Sequence, residues 1–250
     1  MTRVKTGIQG FDKLVEGGFP KGSAILYTGT PGTGKTIFGL EFLINGCVKF
    51  KEKGLFVTFE EGRDDILRQS EQFSWNLLAL EKIGMFTMWN IQAKNISRKT
   101  SQDIIEFCKK NKVKRLVVDS LSTLAVNAPV FTVAEELSVS EVMNEKTFIS
   151  PPIVGDVIIK RFIYNFIADL KSLKDTVSLL ISENSVHSEF LSRDTISEFL
   201  CDGVIVVTFE SLGGEYSRSL LVRKMRQTNN DEDIHPLEIS KTGIVIHDIK

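Results

Sequence analysis

Gly29-Thr30-Pro31-Gly32-Thr33-Gly34-Lys35-Thr36 lies between an apolar run, Ala24-Ile25-Leu26-Tyr27-Thr28, and a stretch of helical period from Lys35 to about Cys47. The run has the length and composition of a buried strand, so the octapeptide is the turn of a strand–loop–helix unit. Its G-x-x-x-x-G-K-T pattern suits phosphate. Glycines let the backbone curl until successive N–H groups point at phosphate oxygens, and the helix start adds partial positive charge. Thr30, Pro31, Gly32, Thr33 and Gly34 supply that loop. Lys35 is expected at the β- and γ-phosphates and Thr36 on Mg2+, so Mg-ATP is the expected ligand.

Outward from this unit, strand-like runs alternate with helical stretches. Leu55 to Phe59, Met85 to Trp89, Leu116 to Asp119 and Val177 to Ile181 read as strands. Asp64 to Phe73, Ser101 to Lys110 and Arg161 to Leu173 read as helices. This alternation implies an α/β fold whose sheet is mostly parallel and covered on both faces. The last quarter differs: Val204 to Phe209, Tyr216 to Lys224, Leu237 to Ser240 and Gly243 to Ile246 are joined by turn residues. Gly213-Gly214 and Thr242-Gly243 suggest hairpins, so the sheet is expected to end in antiparallel strands. No linker or repeat divides residues 1–250, and a single domain is expected. A long insertion breaks the rhythm at about 125–159, where Pro151-Pro152 is expected to stop any helix. It reads as a packed surface elaboration or as a partner-contacting loop.

Two further carboxylate positions fall at strand ends. Asp119 closes Leu116-Val117-Val118, where an acidic residue can hold Mg2+ beside a phosphate loop. Glu60-Glu61 follows Leu55 to Phe59 at the same predicted edge. A carboxylate there can activate the water that attacks a γ-phosphate. The pair fits equally well as an exposed start of the next helix. Ser182-Glu183-Asn184 and His187 follow another strand at this edge; an exposed polar loop is the plainer reading, nucleotide sensing the other.

Bulk properties narrow the classes. Net charge is −1, with 31 Lys and Arg against 32 Asp and Glu, so no overall basic field draws the chain to nucleic acid or anionic membrane. No apolar run approaches membrane-spanning length, and the N-terminus lacks a signal-peptide core. Cys47, Cys108 and Cys201 form no CxxC pair and read as buried thiols of a cytoplasmic protein. Lys109, Lys110, Lys112, Lys114 and Arg115 read as the solvated end of a helix.

Several signatures occur in one order: Gly7 to Leu14 with Gly17 to Ser23, the phosphate loop, Phe56 to Glu61, Val117 to Ser120, Lys224-Met225-Arg226, and His235 to Ile239 with Thr242 to Ile244. In these the chain resembles the KaiC-like ATPases of the RecA superfamily from about Gly7 to Ile246. The resemblance implies a RecA-like core, ATP hydrolysis, and head-to-tail self-assembly with ATP between neighbours, a hexamer being one closed form. It implies Glu60 as catalytic base, Glu61 as its support, and Lys35 and Asp119 organising Mg-ATP. It further implies that Lys224 and Arg226 reach a neighbour's γ-phosphate in trans; by themselves they read as a solvated edge-strand pair. Gln227 departs from the family's usual glycine. One such domain is present, whereas the family's clock members carry two, and no counterpart of their phosphorylated segment is recognisable. The expected role is therefore a regulatory or signalling ATPase, with slow turnover and an unknown protein partner.

The rival reading is a strand-exchange recombinase or archaeal paralogue that binds single-stranded DNA through two axial loops. The corresponding stretches, Ala125 to Ile159 and Glu183 to Glu198, carry net charges of −4 and −3. Acidic loops disfavour DNA, whose affinity rests on phosphate neutralisation.

Overall fold

The computed structural model describes residues 2–128, 151–184, 190–212 and 215–249. A short antiparallel pair, β1 (Arg3–Val4) and β2 (Phe19–Pro20), precedes the phosphate-loop unit, β3 (Ala24–Gly29) and α1 (Lys35–Asn45). There follow β4 (Gly54–Thr58), α2 (Arg63–Gln72), α3 (Leu77–Lys82) and β5 (Phe86–Asn90). Next come α4 (Thr100–Asn111), β6 (Arg115–Asp119), α5 (Leu121–Val126) and α6 (Pro151–Leu170). The chain closes with β7 (Val177–Glu183), α7 (Ser197–Leu200), β8 (Gly203–Leu212), β9 (Glu215–Met225), β10 (Ile234–Ser240) and β11 (Gly243–Ile246).

Nine of these strands form one sheet in the order β11-β10-β9-β8-β3-β7-β6-β4-β5. Pairing is parallel from β8 through β5 and antiparallel from β8 to β11, as the change in sequence rhythm predicts. Strand side chains alternate between faces. Ile25, Tyr27, Phe56 and Val117 enter a core with Phe11, Phe19, Phe38 and Phe42. Ala24, Leu26, Leu55, Val57, Leu116 and Val118 enter a second core with α4 and α6 residues. Each face of the sheet is thus covered, which explains why the parallel strands read as unbroken apolar runs.

Three expectations need correction. The helix expected from Arg161 begins at Pro151, because the two prolines fall in the first turn, where an N–H has no intrahelical acceptor. α5 reaches Val126 on one side of the expected insertion and α6 begins at Pro151 on the other; residues 129–150, with Glu135, Glu136, Glu141, Glu145 and Lys146, lie outside the described residues. Second, the acidic stretch before α7 is partly spent internally. Buried Asp194 accepts from the N–H groups of Ile196 and Ser197 at 3.0 and 2.7 Å, and buried Glu198 accepts from the Leu191 N–H at 3.1 Å. Those charges do not face solvent. His187 and Glu189 lie outside the described residues.

Third, Arg115 is not part of a solvated cluster; it is fully buried. Its guanidinium donates to Glu52 Oε2 at 2.7 Å, the Phe42 carbonyl at 2.8 Å and the Lys5 carbonyl at 2.7 Å. It also lies over the Phe42 ring, 4.7 Å from the centroid. Gly46 makes the passage possible, since a Cβ there would stand 2.3 Å from Arg115 Cδ. One cation therefore ties β6, the end of α1 and the N-terminal segment together. The three cysteines are free and buried, as expected, and burial pushes the Cys47 and Cys108 thiols up to about 11 and about 12. No helix among the described residues is long and apolar enough to cross a membrane.

A second tie joins α1 to the final hairpin. Glu41 Oε2 accepts the Ile244 N–H at 2.7 Å, and Gly243, at φ 135°, leaves room for that carboxyl. Burial pushes the Glu41 carboxyl up to about 7, against the pull of the Ile244 amide and Lys49.

Two outcomes follow from these ties. Arg115→Leu removes a donor from the Phe42 and Lys5 carbonyls and leaves Glu52 unpaired, and a loss of about 3 kcal/mol is expected in urea unfolding. A loss below about 1 kcal/mol would show that the cation is dispensable. Glu41 has a folded pKa above its unfolded value, so its contribution is present below about pH 4.5 and lost as pH rises through about 7. Glu41→Gln keeps the acceptor and cannot ionise. It should exceed the wild type by about 3 kcal/mol at pH 8 and match it near pH 4; parallel stability curves across that window would contradict the assignment.

Candidate functional site

The parallel register sets the site. Gly29 pairs with Glu183, and Thr58 pairs with Asp119, so the carboxyl ends of β3, β7, β4 and β6 share one edge. A cleft of about 420 Å³ opens there, lined by Lys35, Thr36, Glu60, Glu61, Asp119 and Glu183 among others. These six residues, all singled out in the sequence, therefore converge.

The loop from Gly29 is shaped by its own side chains. Thr33 is buried and its hydroxyl donates to the Thr30 carbonyl at 2.8 Å; Lys35 Nζ donates to the same carbonyl at 2.9 Å. Pro31 and Gly32 are exposed at the turn. Gly34, at φ 89°, precedes α1 and packs so close to Ile239 that a Cβ would stand 2.9 Å from its Cδ1. No side chain caps α1 and no acid occupies its first turn. Its first N–H groups are thus free to receive an anion at the positive end of the helix dipole. Burial lowers the Lys35 pKa, opposed by Glu183, Asp119 and Glu60.

The side facing Asp119 is equally specific. Thr36 Oγ1 donates to Asp119 Oδ2 at 2.7 Å, bringing the two expected Mg2+ positions together. Burial pushes the Asp119 carboxyl up to about 7, with Glu60 and Glu61 adding to the effect and the Thr36 hydroxyl and Lys35 opposing it. The cleft holds four carboxylates against the cations of Lys35 and Arg218. A bare triphosphate is repelled by that set, whereas one accompanied by a divalent cation is matched by it. Hydroxyl and carboxylate oxygens are also the ligands Mg2+ prefers, so the residues present fit the ion.

Glu60 and Glu61 sit on a turn fixed by Thr58, whose hydroxyl accepts both their N–H groups, at 3.2 and 3.1 Å. The Glu61 carboxyl turns aside to Gln69 Nε2 at 2.7 Å, and burial raises its pKa, with Asp65 and Glu60 contributing. The Glu60 carboxylate instead accepts hydroxyl bonds from Ser120 and Thr123 at the start of α5.

Lys224 and Arg226 are not in this cleft. Gly203 pairs with Met225 and with Ile25, at the opposite ends of the strands from Gly29 and Val207. Four residues separate those rungs, roughly 13 Å. Lys224 Nζ donates to the carbonyls of Glu198 and Cys201 at 3.2 and 2.8 Å, and Arg226 Nη1 donates to Asp202 at 3.3 Å. Gln227 adopts φ 58°, so the position keeps the left-handed backbone that glycine favours despite the substitution.

Several lining residues escaped the sequence reading. Arg218 donates to the Gly32 carbonyl at 3.0 Å and lies over Phe209, 4.4 Å from the ring centroid. Gln69 comes from α2, Phe73 caps its C-terminus, and Ile239 comes from β10. Arg218 and Gln69 carry no local site pattern; Ile239 falls within the closing signature, and Glu183 stood out by its strand-end position. Asn184 donates its N–H to the Gly29 carbonyl at 3.2 Å, which joins β7 to the base of the loop.

The profile of the family described as "ATPase: KaiC" matches residues 4–150 and 153–250. A UPF0273 protein of Pyrococcus horikoshii is 30% identical over 98% of this chain and 94% of its own length. A UPF0273 protein of Thermotoga maritima is also 30% identical, over 98% and 96%. The circadian clock oscillator protein KaiC of Parathermosynechococcus lividus is 29% identical over 97% of this chain, which spans 42% of that protein. Among solved structures, a KaiC-like protein of Pyrococcus horikoshii superposes with a TM-score of 0.79 at 32% identity, covering 99% of both chains.

Proposed function

The chain belongs to the KaiC family of ATPases, and from that membership we propose that it binds Mg-ATP and hydrolyses it slowly. The observation that supports this most is the 2.7 Å contact of Thr36 with Asp119, beside Lys35 and in one cleft with Glu60. The loop from Thr30 to Gly34 and the free N–H groups of α1 receive the phosphates, with Lys35 at the β- and γ-positions. Thr36 and Asp119 would hold Mg2+, which supplies charge screening along the triphosphate when bound. Glu60 takes the proton of the attacking water, and Glu61, turned toward Gln69, supports it.

Assembly is part of the same reading. Lys224 and Arg226 stand at the strand ends opposite their own phosphate loop, so a nucleotide they touch must belong to another subunit. A head-to-tail copy presents its loop to them, and their cations would stabilise charge on its γ-phosphate. ATP then favours the assembled form by its differential affinity, which suits a regulatory module acting on a protein partner. The two cores on one sheet support a single domain over residues 1–250, and three free thiols support a cytoplasmic setting.

The test measures ATP turnover with and without single-stranded DNA, with light scattering on the same samples. Slow turnover indifferent to DNA, with growth in size on ATP, is expected. A rise of roughly tenfold or more with DNA would instead make the chain a recombinase relative. Glu60→Gln should lower kcat by about a hundredfold or more while ATP still binds; unchanged turnover removes Glu60 from the role.

A further inference from the structure

The Glu60 carboxylate is held from two directions, and only one of them was legible in the motif. Its backbone is fixed by the Thr58 hydroxyl, which accepts the N–H groups of Glu60 and Glu61. That bond places Cα and leaves the side chain free to rotate, and Glu60 is exposed, so no packing stops it. The rotation is instead stopped at Oε1, which accepts the hydroxyls of both Ser120 and Thr123. Oε2 takes neither bond.

Those two donors belong to one device. Ser120 is the N-cap of α5, and its hydroxyl accepts the Thr123 N–H at 3.2 Å. The helix start orients both hydroxyls toward the end of β4. The base of that helix is itself anchored, because Ser122 accepts the Glu183 N–H at 2.8 Å. From these contacts we infer that Thr123 is a positioning residue for Glu60: its hydroxyl tethers one carboxylate oxygen so that the other faces the cleft.

The inference deepens the functional reading above and rests on Glu60 being the base. Ser120 follows a residue expected to hold the metal, so changing it disturbs two things at once. Thr123 lies outside the cleft lining and separates them. A carboxylate that swings freely spends little time at the distance and angle a water molecule requires, and loss of positioning lowers turnover without weakening substrate binding. A threonine that served only the helix would act on stability, independently of Glu60.

Steady-state ATP turnover of the wild type, Thr123→Val, Thr123→Ser, Glu60→Gln and the Thr123→Val/Glu60→Gln pair tests this. Thr123→Val should lower kcat about tenfold with KM for ATP within about twofold. Thr123→Ser, which keeps the hydroxyl, should stay within about twofold of wild type. In the Glu60→Gln background Thr123→Val should add nothing, because residues acting through one another are not additive. Wild-type kcat in Thr123→Val, an equal loss in both backgrounds, or Thr123→Ser as slow as Thr123→Val each overturns the inference. Should Thr123→Val fail to fold, Thr123→Ala is judged by the same criteria. A wild type without turnover, or a Glu60→Gln variant as fast as wild type, sinks the reading of Glu60 as base, and this inference with it.

Discussion

Parallel pairing of β3, β7, β6 and β4 is the constraint on which the rest depends. Strands that run in one direction end on one edge, and their register decides which residues meet there. Gly29 opposite Glu183 and Thr58 opposite Asp119 put the glycine-rich loop, the Asp119 carboxylate and the Glu60–Glu61 turn around one cleft. A slip of one residue in β6 would rotate Asp119 to the other face of the sheet and separate it from Thr36. The register is held in turn by burial on both faces, since each strand feeds alternate side chains into two separate cores. Arg115 adds a polar lock at the far end of β6, where three hydrogen-bonding partners from distant segments converge on one guanidinium.

The same sheet gives the subunit two unlike ends. One edge presents Lys35, Asp119 and the glutamates; the other presents Lys224 and Arg226, each engaged with carbonyl or carboxylate oxygens of its own subunit. This polarity comes from the antiparallel return of β9 along β8, which carries the Lys224-Met225-Arg226 element back to the start of the parallel strands. The loop at Gly29 to Thr36 and the Lys224–Arg226 pair thus lie at opposite ends of the same strands. Arg218 belongs to the opposite part of β9, and there the same hairpin closes over the phosphate loop through Gly32.

Charge organises the cleft as much as shape does. Asp119 is buried, and burial first, then the nearby Glu60 and Glu61 carboxylates, raises its pKa. Lys35 shares the burial, with its own affinity for the proton lowered first by desolvation.

The strand–loop–helix around Gly29 to Thr36, the alternation of apolar runs and the hairpin tail were legible along the chain. Each depends on near neighbours: a glycine turn, a helical period or a turn dipeptide. The α/β fold, its mostly parallel sheet and its antiparallel end followed from these alone, and family membership followed from motifs in order. The helix start at Pro151, the burial of Arg115, Asp194 and Glu198, and the lining by Phe73, Arg218 and Ile239 did not. In each of these, the deciding partner is remote in the chain or the residue type contradicts its usual place, as when three acceptors make an arginine a core residue. Local sequence determined which elements form and that one loop is shaped for phosphate. Only the tertiary structure decided which carboxylate oxygen Ser120 and Thr123 hold, and which end of the sheet each cation occupies, because register and long-range hydrogen bonds are properties of the packed sheet.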